Sequence, residues 1–435
     1  MQISTLDWII IFSFFGLFIA VGLYYAKKSG KNSKEYFLSG RNMPWWLVGI
    51  SMVATTFSAD TPNLVTNIVR ESGVSGNWVW WAFLLTGMMT VFFYAKLWRR
   101  SEVLTDLEFY ELRYSGKESV FLRAFRALYL GVFFNVMIMA TVCLAGIKIG
   151  GILLGLSPFE CVFYSSLITV IYSALGGLRS VIITDLIQFA LAMTGSIWAC
   201  IYLLNLDQIG GLNQLVTNPL LADKLNFFPD FGDFDTLIVV FIIPIAVQWW
   251  AVWYPGAEPG GGGYIAQRML SAKDEKNAVY STLLFNVAHY AIRPWPWILI
   301  ALASIIIYPS LSDISSAFPN VDKSIIGNDI AYPAMLFLLP SGLLGIVIAS
   351  LAAAFMSTIS SHLNWGASYI SIDFYKRFVK KNATEKEVVF MGRISTVILM
   401  ILAGFVALKL TDALDAFQIL LQIGAGTGSI FLLRW

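Results

Sequence analysis

Apolar runs of membrane-spanning length recur eleven times along this chain, at 8–25, 45–69, 78–98, 127–149, 158–175, 181–204, 236–254, 279–308, 343–373, 388–408 and 413–435. A helix needs about 20 apolar residues to cross a hydrocarbon core, and inside that layer its backbone polar groups must be paired internally. A chain patterned this way is an all-α membrane protein. Composition agrees: 57% of the 435 residues are hydrophobic and 13% are charged, which excludes a water-soluble core. Shorter amphipathic pieces lie at 104–114 and 329–339, and 205–235 is an aromatic, acidic loop with room for a small helix.

The basic residues fix the expected count and orientation. With the N-terminus outside, the inner loops collect 22 of the 29 Lys and Arg residues, from Lys27 and Lys28 through Arg99, Arg100 and Arg268 to Lys380, Lys381 and Arg434. The outer side receives Arg70, Lys148, Lys224, Lys323 and Lys409, while Arg293 and Arg393 stay inside runs. Such a split at every loop predicts eleven transmembrane helices, N-terminus outside and C-terminus inside. The same dispersal leaves no single basic face, so nucleic acid is not an expected partner. Cys143, Cys161 and Cys200 lie in apolar runs without CxxC spacing and read as packing residues. Asp7 and the lack of a basic segment ahead of the first run predict a retained helix and not a cleaved leader. The chain ends at Trp435 on the inner end of a run with no polar tail, so further sequence is expected beyond it.

With the first helix set aside, five runs precede residue 205 and five follow residue 235. Five is odd, so the second set enters the bilayer from the opposite side, the layout of an inverted repeat. The whole chain, 1–435, is read as a single transporter domain. It has an extra helix and inner loop at 1–42, a first five-helix repeat at 43–204, an outer loop at 205–235 and a second repeat at 236–435. The leading helix of each repeat is interrupted, by SADTPN at 58–63 and by YPGAEPGGGGY at 254–264. Pro and Gly free backbone groups there, and freed groups at membrane depth are tolerated where they face protein, a watery cavity or a ligand. Paired breaks point to a transport site. Two unrelated proline kinks, or a second segment lying mostly in a loop, are the plain alternatives.

A third feature is the crowd of small and hydroxylated residues in 345–375: Ala352, Ala353, Ala354, Ser357, Thr358, Ser360 and Ser361. Ser357, Ser360 and Ser361 fall at i, i+3 and i+4, so they form one oxygen-bearing stripe. Two readings stand. Small faces and cross-helix hydroxyl bonds pack membrane helices together, and a hard cation that sheds its water needs several oxygens around it.

The segment SALGGLRSVIITDLIQ at 173–188 resembles the signature of the sodium/solute symporter family, with Gly176, Gly177, Ser180, Val181, Thr184, Asp185 and Gln188 in the family's order. AAFMSTISS at 353–361 is similar to that family's sodium-ligand helix. Tyr264-Ile265-Ala266-Gln267-Arg268, followed by Ser271-Ala272-Lys273, resembles its YIxQR…AK segment. The resemblance covers nearly the whole chain and implies a leucine-transporter-like 5+5 core behind one extra helix. It implies sodium as the coupling ion, at a common site formed by Ala54, Phe57, Ala354, Ser357 and Thr358. In some members a second sodium lies on the signature aspartate, here Asp185 with Ser357, Ser360 and Ser361. Independently, a carboxylate in a span costs insertion energy, so Asp185 needs a cationic or hydrogen-bonding partner, and Arg179 is the expected one from the interface. A structural salt bridge and an ion ligand both satisfy that need.

Polar residues expected to face the solute are Asp60 and Asn63 at the first break, Asn135, Glu258 at the second break, His289, Arg293, Gln418 and Gln422. The family's sugar carriers use a glutamine in the tenth core helix, which aligns here with Phe417, and a seventh-helix lysine that this chain lacks. Arg293 suits a solute carboxylate bidentately, or locks onto Glu258 or Asp60; the lock is preferred. Trp249, Trp250, Trp253, Trp295 and Trp297 suit an interfacial belt first and sugar stacking second. His289 suits packing before proton relay. GAGTG at 424–428 follows no strand and fits close helix approach.

The preferred function is a sodium-coupled secondary active symporter importing a small polar solute, a sugar or sugar acid ahead of amino acids, by alternating access. The alternative is a solute sensor, the same membrane fold coupled to a cytoplasmic signalling region beyond Trp435. An enzyme is not expected: there is no P-loop, and the two histidines, His289 and His362, lack HExxH spacing. Expected partners are the solute and the lipid bilayer, with no obligate protein partner. The expected location is a cell membrane, bacterial and cytoplasmic.

Overall fold

The computed structural model describes residues 3–250, 260–319, 321, 326–410, 433 and 435. The chain opens with α1 (Thr5–Ser29). The next apolar run divides into α2 (Trp45–Thr56) and α3 (Asp60–Ser72). There follow α4 (Val74–Ser101), α5 (Lys117–Leu154), α6 (Pro158–Leu204), α7 (Phe234–Ala246) and α8 (Gly263–Ser271). Further along lie α9 (Glu275–Ile307), α10 (Leu343–Val379) and α11 (Glu385–Ala407), with short helices such as Glu108–Arg113 between the long ones. Among the described residues, seven helices are long and apolar enough to cross a membrane: α1, α4, α5, α6, α9, α10 and α11.

The runs at 158–175 and 181–204 fall on one element, α6, which turns at Gly177 with φ 57 and ψ −168. Only glycine adopts that backbone cheaply, and it lies in the signature GG. The run at 413–435 lies almost wholly outside the described residues.

Two of the long helices start at sequence-encoded caps. Pro158 occupies the first turn of α6, and Ser157 and Glu160 complete a capping box; Thr384 and Glu387 do the same for α11. Asp7, the one early acidic residue of α1, accepts the backbone N–H groups of Gly342 and Gly345 at 2.7 and 2.8 Å. A carboxylate at the positive end of α10 pins the first helix to the core.

The core is centred on α10, which packs against α6, α5, α11 and α1. Nearly every residue of its Leu343–Ser368 portion is buried, whereas Phe92, Phe159, Ile201, Ile401 and Phe405 on outer helices point outward, as lipid-facing positions do. Where α5 crosses α10, Asn135 Nδ2 donates to His362 O at 2.8 Å, and its Oδ1 lies 2.6 Å from His362 Nδ1. Gly366 makes the crossing possible: a Cβ there would stand 2.8 Å from Gly131 O and 2.3 Å from Asn135 Nδ2. Gly366→Ala is therefore expected to lower stability by about 1–3 kcal/mol, the usual cost of overpacking, visible as a lower melting temperature in detergent.

Candidate cation and solute site

The first interruption is real at the level of backbone geometry. After Thr56 the chain leaves the helix at Phe57, with φ −86 and ψ 78, and resumes at Asp60. The Phe57 N–H turns back to Val53 O at 2.8 Å and Ala54 O at 3.1 Å. This end of α2 abuts the hydroxyl stripe of α10, where Thr358 Oγ1 donates to Thr55 O at 2.8 Å. Ala54, Phe57, Ala354, Ser357 and Thr358 are all buried there. Small side chains at 353 and 354 let the broken end approach the middle of α10, and each carbonyl retains a second lone pair beyond its helical bond.

Asp185 enters the same region from α6. Its Oδ1 accepts from Ser357 Oγ at 2.5 Å and its Oδ2 from Ser51 Oγ at 2.5 Å. The expected cationic partner, Arg179, instead donates to Ser39 O at 2.9 Å. The partner is Arg268, with Nη2 3.8 Å from Asp185 Oδ2 and both side chains fully buried. The distribution of basic residues puts Arg268 in an inner loop; α8 instead carries it into the core, where carboxylate and hydroxyls compensate a charge that could not be buried alone. Its Nη2 also donates to Ser361 Oγ and, at 3.2 Å, to Thr55 Oγ1, and its Nε to Ser51 Oγ at 3.3 Å. Thr55 Oγ1 and Ser361 Oγ are 2.8 Å apart. Ser360 Oγ turns onto its own helix, donating to Ser357 O at 3.1 Å. The sequence thus supplied Asp185, Ser357 and Ser361 but not Ser51, Thr55 or Arg268. The YIAQR segment was the available signal.

At the same end of α2, Thr56 Oγ1 lies 3.1 Å from His289 Nδ1, and Arg293 lies 3.5 Å from Thr56 Oγ1 and 3.4 Å from His289 Nε2. A π-helical turn at Val287–Ile292 brings His289 and Arg293 to this face. Arg293 also sits over Trp297 at 5.4 Å, and Trp297 stacks on Phe57 at 4.9 Å, so this tryptophan is a core residue and no part of an interfacial belt. Trp295 remains exposed. Asp60 is within electrostatic reach of Arg293. Neither amide atom of the buried Asn63 has a hydrogen-bonding partner among the described residues. Asn135 is tied to His362 instead of joining this group. Glu258, Phe417, Gln418, Gln422 and Trp253 lie outside the described residues.

A buried carboxylate and clustered hydroxyls at a helix break are the oxygens a hard cation requires. The family model described as "Sodium:solute symporter family" matches residues 36–433. The chain belongs to this family. This symporter is similar to the sodium/glucose cotransporter of Vibrio parahaemolyticus, 26% identical over 99% of this chain and 80% of the relative. It is also similar to the sodium/sialic acid symporter of Proteus mirabilis, 24% identical over 97% and 82%. The sodium/mannose cotransporter of Bos taurus is 26% identical over 92% and 68%. In fold it matches a sodium-coupled sialic acid symporter solved with substrate in an outward-open state, with a TM-score of 0.77 at 21% identity, over 93% of this chain and 82% of that one. The symporter is thus an all-helical, multi-pass membrane protein that couples solute movement to sodium, a transporter and not an enzyme. Sodium is its co-transported ion and not a resident cofactor.

Proposed function

We propose that the symporter imports a sugar or sugar acid together with sodium, across a bacterial cytoplasmic membrane, by alternating access. One sodium is held by the carbonyls of Ala54 and Phe57 and by Ala354, Ser357 and Thr358; a second site uses Asp185, Ser360 and Ser361 with Ser357. The observation that carries this reading is the convergence of the broken end of α2, the hydroxyl stripe of α10 and the buried Asp185. The solute lies beyond the break, near Asn63, Asp60, His289 and Arg293, with Glu258, Gln418 and Gln422 as the further solute contacts of this reading. The sugar assignment rests on relatives whose names specify glucose, mannose and sialic acid.

The topology proposed with it is eleven helices with the N-terminus outside. A single domain spans 1–435, in which 43–204 and 236–435 form the two inverted five-helix repeats. Rocking of the bundle that contains both broken helices would expose the site alternately to either side. Because sodium and solute favour the same cavity state, each should raise the affinity of the other by the same factor. The test is a melting-temperature panel of hexoses, sugar acids, amino acids and dicarboxylates, in sodium and in potassium. A hexose or sugar acid is expected to stabilise the protein in sodium only, by about 2.7 kcal/mol at 100 times its dissociation constant. Stabilisation by an amino acid alone, or by a sugar equally in potassium, would contradict the assignment.

A further inference from the structure

Arg268 is not a ligand in either sodium set above, yet it occupies their surroundings. Its guanidinium stands 3.8 Å from Asp185 Oδ2 and donates to Ser361 and to Thr55. It is held in place on its other sides: Nη1 donates to Gln267 Oε1 at 3.2 Å, and the group lies 5.8 Å from the centre of the Tyr264 ring. Gln267 is itself fixed, its Nε2 donating to Phe37 O at 3.1 Å and Asn364 Oδ1 at 3.0 Å. A positive charge is therefore built rigidly into the wall of the second sodium site.

We propose that Arg268 and the second sodium ion share the single carboxylate of Asp185, making Arg268 the positioning residue that sets sodium affinity at this site. The inference rests on the sodium reading above and adds a residue to it. A sodium ion on Asp185 and Ser361 would stand within a few ångström of the guanidinium, and like charges that close, away from water, disfavour one another. Ser361 Oγ already accepts from Arg268 and contacts Thr55, so sodium must also compete for its lone pairs. In exchange, Arg268 keeps the carboxylate compensated whenever sodium is elsewhere, so Asp185 is never a lone buried charge. Weak sodium binding is the consequence. An ion that must leave on the far side of the membrane benefits from it.

The test uses the purified full chain and reads the sodium concentration for half-maximal thermal stabilisation, with choline holding ionic strength constant. Arg268→Gln is expected to lower that concentration at least tenfold, and Arg268→Lys, which keeps a charge at shorter reach, to fall between it and wild type. In an Asp185→Asn background, Arg268→Gln is expected to change nothing further. A folded Arg268→Gln protein with unchanged or weaker sodium affinity would overturn the proposal while leaving the sodium reading intact. Should Arg268→Gln fold only in sodium, that result supports the proposal, because sodium then replaces the missing charge. Should it fold in neither salt, a wild-type sodium affinity in Arg268→Lys would overturn the proposal. No sodium-specific shift in either wild type or Arg268→Gln would overturn the sodium reading, and the proposal with it.

Discussion

Ser357→Ala combined with Thr358→Ala is expected to weaken sodium binding by about 100-fold or more. Each change removes an oxygen that a dehydrated cation would use, and hydrogen-bond or ligand contacts to charged groups contribute about 1.5–3 kcal/mol apiece. Two such losses reach about two or more powers of ten. The same changes also touch the fold. Without Ser357, Asp185 Oδ1 loses its 2.5 Å donor, and without Thr358 the 2.8 Å bond to Thr55 O disappears. A stability loss of about 2–4 kcal/mol is the structural share of the effect, so sodium affinity must be measured on protein verified as folded at the working temperature. Thr358→Ser retains an oxygen at that position and is the control, expected to stay within about threefold of wild type. A double mutant with wild-type sodium affinity would remove α10 from the sodium site.

Arg123→Ala is expected to destabilise the protein by about 3–5 kcal/mol, the range for breaking a buried charge network from one side. Arg123 bonds Asp373 at 2.7 Å, Glu111 at 2.8 Å and Glu108 at 3.1 Å, and so ties the short helix Glu108–Arg113 to α5 and α10. Asp373 is fully buried, and apart from Arg123 its Oδ1 has Thr105 as a donor at 2.8 Å. Arg123→Lys is expected to recover about half the loss, because one ammonium cannot reach three carboxylates in a fork. Burial alone would raise the Glu111 carboxyl, but the guanidiniums of Arg123 and Arg377 outweigh it and hold it below the usual range. A lowered folded value means that its contribution is present at neutral pH and lost as pH falls through that value. Melting temperatures of wild type and both variants, measured at neutral and acidic pH, check magnitude and sign together. A small effect in Arg123→Ala at neutral pH would mean that the network is dispensable.

Much of this site was legible because its chemistry departs from membrane composition. Ser357, Thr358 and Ser361 stand out among apolar neighbours, and Asp185 is a carboxylate in a span, so each had to answer to a partner. The SADTPN segment announced a break, and the backbone does leave the helix at Phe57. Arg268 is not legible in the sequence for a physical reason. Counting basic residues near span ends assigns them to solvent, whereas here a nine-residue helix, α8, is buried along its whole length and takes its arginine with it. Arg179 was the nearer candidate in sequence, but spacing along one helix says nothing of what a different helix brings across. Trp297 shows the same limit, since a tryptophan near a span end resembles a belt residue until Phe57 is found stacked on it. Polarity and depth point Asn135 to the solute, whereas its pairing with His362 depends on how closely Gly366 lets α5 approach α10.

The sodium site is tested by the melting temperature of the purified wild-type chain titrated with sodium, against potassium and choline at equal ionic strength. A ligand that binds only the native state raises stability with its concentration. The expected result is a saturable shift with sodium alone, lost in Ser357→Ala/Thr358→Ala and altered in Asp185→Asn. A well-folded wild-type protein that melts at the same temperature in all three salts would contradict the sodium site at α2, α6 and α10.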